Sequence, residues 1–160
     1  MSVWGALAGG FAGTLVLTTI LRGASELGLT RMDLPFLLGT AFTANRPRAK
    51  ALGYALHFLA GLTFALLYYA IFRAIDESGW WLGAVFGVVH ALFAATALVN
   101  VLLPLVHPRM GSPFTGANAT AFLEQPGFLM LNYGPQTPIA TIVAHVAYGA
   151  LVGGFTQLGA

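Results

Sequence analysis

Four stretches of this chain are apolar over the length of a membrane-spanning helix. They cover residues 3–21, 49–72, 80–106 and 138–158, and a helix needs about 20 apolar residues to cross the hydrocarbon core of a bilayer. Only 8% of the 160 residues are charged, whereas soluble domains carry roughly 25%. The sequence therefore predicts an all-α integral membrane protein, with four transmembrane helices in a compact bundle that forms a single domain over residues 1–160.

The connections between the four spans differ in length. Residues 76–79 make a short turn, whereas residues 22–48 and 107–137 are long, and each long connection contains an apolar run too short to cross a membrane. These runs lie at about residues 33–42 and 119–131. Asp33 is placed to cap a short helix in the first run, and Asn45 to cap the second span. We expect both runs to be interfacial loops or short helices that cover the same end of the bundle as a lid.

Basic side chains are concentrated beside the long connections, and the hairpin end carries only Arg73. Cytoplasmic loops are enriched in lysine and arginine. The distribution therefore predicts a protein of the bacterial inner-membrane type, with its long loops in the cytoplasm and both termini outside. A net charge of +2 without a basic stripe gives no indication of nucleic-acid binding. The basic residues on the long-loop side are Arg22, Arg31, Arg46, Arg48, Lys50 and Arg109.

Small residues recur at four-residue spacing in every span. Such stripes mark the faces on which membrane helices pack closely against one another. We expect packing within the chain, and the same faces offer contacts to other membrane helices, in a homo-oligomer or a larger complex. The predicted packing glycines are Gly5, Gly9, Gly13, Gly53, Gly61, Gly83, Gly87, Gly149 and Gly153.

Three histidines lie on these stripes, inside the apolar spans. His57, His90 and His145 should therefore point into the bundle rather than toward lipid. At about 1.5 Å of helix rise per residue, His57 and His145 lie ~10 Å and ~13 Å below the long-loop end. The same estimate puts His90 ~15 Å from the opposite end, so it is not expected to pair with either of the others as a haem ligand unless the helices are shifted.

An ionisable residue inside a membrane span is a candidate functional site. His57 and His145, at matched depth, are the candidate axial ligands of haem b, because helix bundles commonly hold cofactors in their cores. A transition-metal ion is the related hypothesis, with carboxylates from the lid completing the ligand set. A simpler role for each histidine is a hydrogen bond that ties two helices together. The candidate metal ligands are His57, His145, His90, His107, Asp33 and Glu124.

Three functions remain open from the sequence. The first is a non-enzymatic accessory or scaffold subunit that binds other membrane helices through its small-residue faces. The second is a haem- or metal-binding electron-transfer protein or oxidoreductase. The third is proton or ion transport along the histidines and Asn100, against which stands the absence of charged residues from the span cores. The chain has no cysteine, which excludes disulfides, thiolate metal sites and thiol catalysis, and it contains no catalytic motif that would identify an enzyme.

Overall fold

The computed structural model describes residues 1–110 and 123–158. The regular structure in this part of the chain is helical. In chain order the elements are α1 (Val3–Glu26), α2 (Leu34–Gly39), α3 (Arg46–Ile75), α4 (Trp80–Phe93), a π-helical segment (Ala94–Leu102), α5 (Leu103–Val106), a 3₁₀ segment (Phe128–Tyr133) and α6 (Thr137–Leu158).

Among the described residues, four helices are long and apolar enough to cross a membrane: Val3–Glu26, Arg46–Ile75, Trp80–Val106 and Thr137–Leu158. The prediction of four long apolar helices is confirmed, and the third has the predicted bounds. The first helix continues five residues beyond its predicted end, where Arg22 and Glu26 form an ion pair along its last turn. This i,i+4 spacing places both charged side chains on one helix face.

Helix α6 lies between α1 and α4, and glycines allow the close approach on both sides. On the α1 side, a Cβ atom at Gly9 would lie 2.8 Å from the carbonyl oxygen of Leu151. On the α4 side, a Cβ atom at Gly83 would overlap the backbone of Gly149, and one at Gly149 would overlap Gly83. These contacts leave no room for a methyl group at the two interfaces. Gly5, Gly13, Gly87 and Gly153 make similarly tight contacts with the opposing helix or the turn before it.

Helix α3 packs against α2 and α1 in the same way. A Cβ atom at Gly53 would overlap the carbonyl of Pro35, and one at Gly61 would overlap the hydroxyl of Thr14. All nine predicted packing glycines therefore make close contacts inside the chain. Helix α6 covers the face of Gly5, Gly9 and Gly13, in keeping with the expected packing within the chain; contact of this protein with other subunits stays a prediction.

The long connections meet at one end of the bundle, as predicted. The buried hydroxyls of Thr30 and Thr137 lie 2.7 Å apart, and the amide of Arg31 donates to the carbonyl of Tyr133 at 2.7 Å. We call residues 27–45, 107–110 and 123–136 together the loop cover. Its interfacial segments are α2, followed by a turn to residue 42, and the 3₁₀ segment. Of the predicted run 119–131, residues 119–122 lie outside the described part of the chain.

Local capping follows the sequence closely. The Asp33 carboxylate accepts from the amide of Phe36 at 3.0 Å, and the Asn45 side chain accepts from the amide of Arg48 at 3.1 Å. Both contacts satisfy amides that have no partner inside the first turn of a helix. These two predicted caps are confirmed.

Candidate functional site

An internal cavity of about 100 Å³ lies in the half of the bundle nearest the loop cover. All four long helices contribute to its wall, together with the two interfacial segments. We call it the histidine cavity, because His57 of α3, His90 of α4 and His145 of α6 all line it. Its other polar or sulfur-containing lining residues are Thr14, Met32, Met130, Thr141 and Tyr148.

The cavity lies where α3 and α4 meet through side chains. The ring of Phe64 packs against that of His90, with the two centroids 4.0 Å apart. Immediately after α4 the helix widens into the π-helical segment. There the side-chain amide of Asn100 donates to the carbonyls of Ala95 at 2.9 Å and Thr96 at 3.1 Å. A π-helical turn is rare and is often found at functional sites. Its residues Ala94, Leu98 and Val99 form part of the cavity wall.

A hydrogen bond within α6 determines which ring nitrogen of His145 carries the proton. Its Nδ1 lies 2.8 Å from the carbonyl oxygen of Thr141. A carbonyl only accepts, so Nδ1 carries the proton and the neutral ring keeps its lone pair on Nε2. One nitrogen of His145 is therefore a free acceptor or metal ligand beside the cavity.

His90 and His145 are neighbours, which corrects the expectation that His90 pairs with neither of the other two. The ring centroids lie 4.7 Å apart at an interplanar angle of 75°. The physical reason is the glycine contact between α4 and α6. A Cβ atom at Gly87 would overlap the carbonyl of His145, so the register of the two helices is set by this contact and not by equal depth from the span ends. On its other side, Nδ1 of His90 lies 3.4 Å from the hydroxyl of Tyr68.

His57 is the least engaged of the three. Its side chain is only 8% exposed, and its closest ring neighbour is Phe58, with the centroids 6.4 Å apart. Within residues 1–110 and 123–158 the ring makes no hydrogen bond to protein. No fully buried side-chain nitrogen or oxygen among the described residues lacks a hydrogen-bond partner, so the ring nitrogens of His57 are reached by water or a ligand through the pockets that the residue lines.

A cluster of aromatic rings lies beside His90, on the side of the histidine cavity toward the hairpin end. Phe72 and Phe86 stack with their centroids 5.4 Å apart, and Tyr68 lies edge-on to both. The hydroxyl of Tyr148 donates to the carbonyl of Gly61 at 2.6 Å. The position of Tyr68 near the end of the second span, beside Arg73, predicts an aromatic anchor at the membrane interface, but the residue is 4% exposed because it packs among these rings.

Toward the loop cover the histidine cavity adjoins a smaller pocket of about 30 Å³. Arg22, Asp33 and Tyr54 line this outer pocket, and His57 and Met32 line both it and the histidine cavity. His57 and Met32 therefore stand between the cavity and the loop end of the bundle. A water or ion that enters the cavity from the loop end would pass these two side chains.

The three predicted ligands of the loop cover do not converge on the histidines. Asp33 pairs with Lys50 at 3.1 Å, and Glu124 pairs with Arg31 at 3.1 Å. Across the described residues, no group of three or more histidine, aspartate or glutamate side chains is placed to hold a metal ion. The predicted six-residue ligand set is therefore not assembled, because each carboxylate is neutralised by a nearby basic residue.

His107 has a structural position in the loop cover. Its Nε2 donates to the carbonyl of Leu37 at 2.9 Å, and its Nδ1 accepts from the amide of Arg109 at 3.2 Å. Both ring nitrogens are thus occupied. The guanidinium of Arg109 also donates to the carbonyl of Thr40 at 2.5 Å, so this pair ties the end of the third long helix to α2.

The rest of the loop cover is joined by a second polar cluster. Tyr133 donates its hydroxyl proton to the carbonyl of Glu124 at 2.8 Å, and Arg31 donates to the carbonyl of Asn132. Burial raises the pKa of Tyr133 to about 12; the Glu124 carboxylate adds to this shift and Arg31 opposes it. The phenol therefore remains a neutral donor at physiological pH.

Four side chains of the cavity region escaped the sequence reasoning: Met32, Met130, Tyr68 and Tyr148. Tyr148 carried a usable signal, since it follows His145 by three residues and so lies on the same helix face. The two methionines lie in the long connections, where no periodicity predicts which side chains turn inward.

Comparison of the chain with protein-family models, curated proteins and solved structures finds no match.

Proposed function

We propose that this chain is an integral membrane protein that binds a transition-metal ion in the histidine cavity. One observation supports the proposal above all others. Imidazoles from three different helices line one cavity; within the described residues the ring of His57 makes no hydrogen bond, and Nε2 of His145 keeps its lone pair. Imidazole is a common ligand for copper, zinc, iron and nickel.

The surroundings of His145 favour a ligand role. Histidines that bind metals nearly always donate their second ring N–H to a carboxylate, a carbonyl or water, which fixes the tautomer and the ring orientation. The contact from Nδ1 of His145 to Thr141 is of this kind. His107, by contrast, uses both ring nitrogens within the loop cover, so it provides a matched histidine with no ligand role.

Haem b is favoured less than a bare ion. The cavity volume of about 100 Å³ is well below the ~300–1,000 Å³ of pockets that hold larger organic ligands. A macrocycle between His57 and His145 would require the surrounding helices to separate. A metal ion with a few waters fits the existing space.

The accessory-subunit and transport hypotheses have less support than metal binding. The small-residue faces are filled by helices of the same chain, so a protein partner would have to bind elsewhere. A conducting path would have to pass the aromatic rings at the hairpin end of the cavity, and no charged side chain lines the histidine cavity.

We further infer the orientation of the chain in a bacterial inner-membrane type of bilayer. The long-loop end carries all but one of the basic residues, which favours a cytoplasmic loop cover with both termini outside. The histidine cavity and its outer pocket would then be reached from the cytoplasmic side.

Metal content provides the test. The full chain, purified in detergent after growth in metal-supplemented medium, would be measured by element-specific mass spectrometry and by absorption spectroscopy. We expect about one transition-metal ion per chain, loss of that ion in His145→Gln and His57→Gln, and retention in the matched control His107→Gln. Folded wild-type protein that stays metal-free when titrated with copper, zinc, nickel and cobalt salts would overturn the proposal. Bound iron together with a Soret band in the absorption spectrum would instead identify the ligand as haem b.

A further inference from the structure

Met130 adopts a backbone conformation that a bulky residue rarely takes. Its φ is 60°, and that of the preceding Leu129 is 52°, so two consecutive non-glycine residues are left-handed. Such a conformation is strained for a residue with a bulky side chain and persists only where its surroundings compensate. Here the compensation is visible: the amide of Met130 donates to the carbonyl of Gly127 at 2.9 Å, and that of Asn132 to Pro126 at 3.0 Å.

The unusual conformation turns the Met130 side chain into the histidine cavity. The residue is 3% exposed, and its sulfur lies 3.9 Å from the hydroxyl of Thr141. The carbonyl of Thr141 is the group that orients His145. Thr141 therefore contacts the Met130 thioether through its hydroxyl and the His145 imidazole through its carbonyl.

The nitrogen and sulfur donors of the cavity are uncharged, and the hydroxyls that also line it, from Thr14, Thr141 and Tyr148, already donate to other groups of the protein. Two thioethers, from Met130 and Met32, face the same space as the three histidines, and no carboxylate lines it. Thioether and imidazole ligands suit copper(I), whereas magnesium and calcium require oxygen ligands. Because the donors bring no compensating negative charge, a monovalent ion is also less costly to bury here than a divalent one.

We propose that the cavity selects copper(I), with the sulfur of Met130 as a ligand beside His145 and His57. The inference rests on the proposed metal-binding function and names the ion. A site of two imidazoles and one thioether does not require the cluster of three ionisable side chains that the described residues lack. His57 and Met32, which also line the outer pocket, would form the route by which the ion reaches it.

The test compares copper(I) with zinc(II) in the purified full chain. Copper(I), kept reduced with ascorbate, would be titrated against a chromophoric chelator, and zinc(II) would be titrated separately. Met130→Leu removes the sulfur while nearly conserving volume. We expect it to weaken copper(I) binding at least about tenfold and to leave zinc(II) binding unchanged. Met110→Leu is the matched control, since Met110 is equally buried but does not line the cavity.

A second measurement does not depend on any variant folding. X-ray absorption at the copper edge of the wild-type complex should show a sulfur ligand together with imidazole nitrogens. Nitrogen ligands alone, or equal copper(I) affinity in folded Met130→Leu, would overturn the copper(I) assignment and leave the metal-binding proposal standing. If the folded wild-type chain binds neither of these ions, and neither nickel nor cobalt, the proposed function itself fails.

Discussion

The imidazole rings of His90 and His145 meet edge to face, with their centroids 4.7 Å apart and their planes at 75°. The contact follows from the close approach of α4 and α6, where Gly87 lies against the backbone of His145. Packing between the rings restricts His145 from one side, while Thr141 holds its Nδ1. His90 is therefore placed to orient His145 rather than to act alone.

The first prediction concerns this positioning role. His90→Phe keeps an aromatic edge against His145, whereas His90→Ala removes it and leaves a cavity. If His90 acts by packing, the phenylalanine variant should retain most of the metal affinity and the alanine variant should lose several-fold more. Metal titration of both proteins makes the comparison. Equal losses in the two variants would instead indicate that His90 binds the ion directly.

The second prediction separates internal packing from subunit contact at the glycine face of α1. Gly9→Leu would force a side chain into the backbone of Leu151 and Val152, and overpacking of this kind typically costs about 1–3 kcal/mol or more. We expect a lower unfolding temperature in detergent for the isolated chain. Gly23→Ala is the control, because nothing lies within 4 Å of a Cβ atom there. If Gly9→Leu left the unfolding temperature unchanged, the face of Gly5, Gly9 and Gly13 would instead be available to a helix of another subunit.

The third prediction concerns the attachment of the loop cover. Thr30 and Thr137 share a buried hydroxyl contact at 2.7 Å, and Thr30 also accepts from the amide of Met32 at 3.1 Å. Replacing one threonine by valine leaves a buried hydroxyl unpaired, at a cost of about 1–3 kcal/mol. The double valine variant should lose less free energy of unfolding than the two single variants lose together. A double-mutant cycle measures this coupling, and strictly additive losses would contradict it.

The fourth prediction tests the orientation of the chain. No native cysteine is present, so single cysteines can be introduced without background. Glu77→Cys lies in the exposed hairpin turn, and Arg48→Cys at the exposed loop end of α3. A membrane-impermeant maleimide should label the first in intact cells and the second only after permeabilisation. The reverse pattern would place the loop cover outside.

Several features of this fold are predictable from the sequence because they depend on nearby residues. The four long helices follow from runs of apolar residues, and the caps at Asp33 and Asn45 follow from side chains adjacent to the helix starts. The glycine stripes also predict where helices approach closely. Each of these signals is local, since hydropathy, capping and helical periodicity are set within a few turns of the chain.

The arrangement of the cavity depended on the tertiary structure. The pairing of His90 with His145 depends on helix register, and the inward turn of Met130 depends on two left-handed residues with no signal in the chain. The carboxylates of Asp33 and Glu124 were expected to face the histidines, but Lys50 and Arg31 hold them in the loop cover. Apolar pattern determined that the histidines would be inside the bundle. Which side chains meet there was decided by helix rotation, register and loop path, which are non-local and are fixed only when the helices pack.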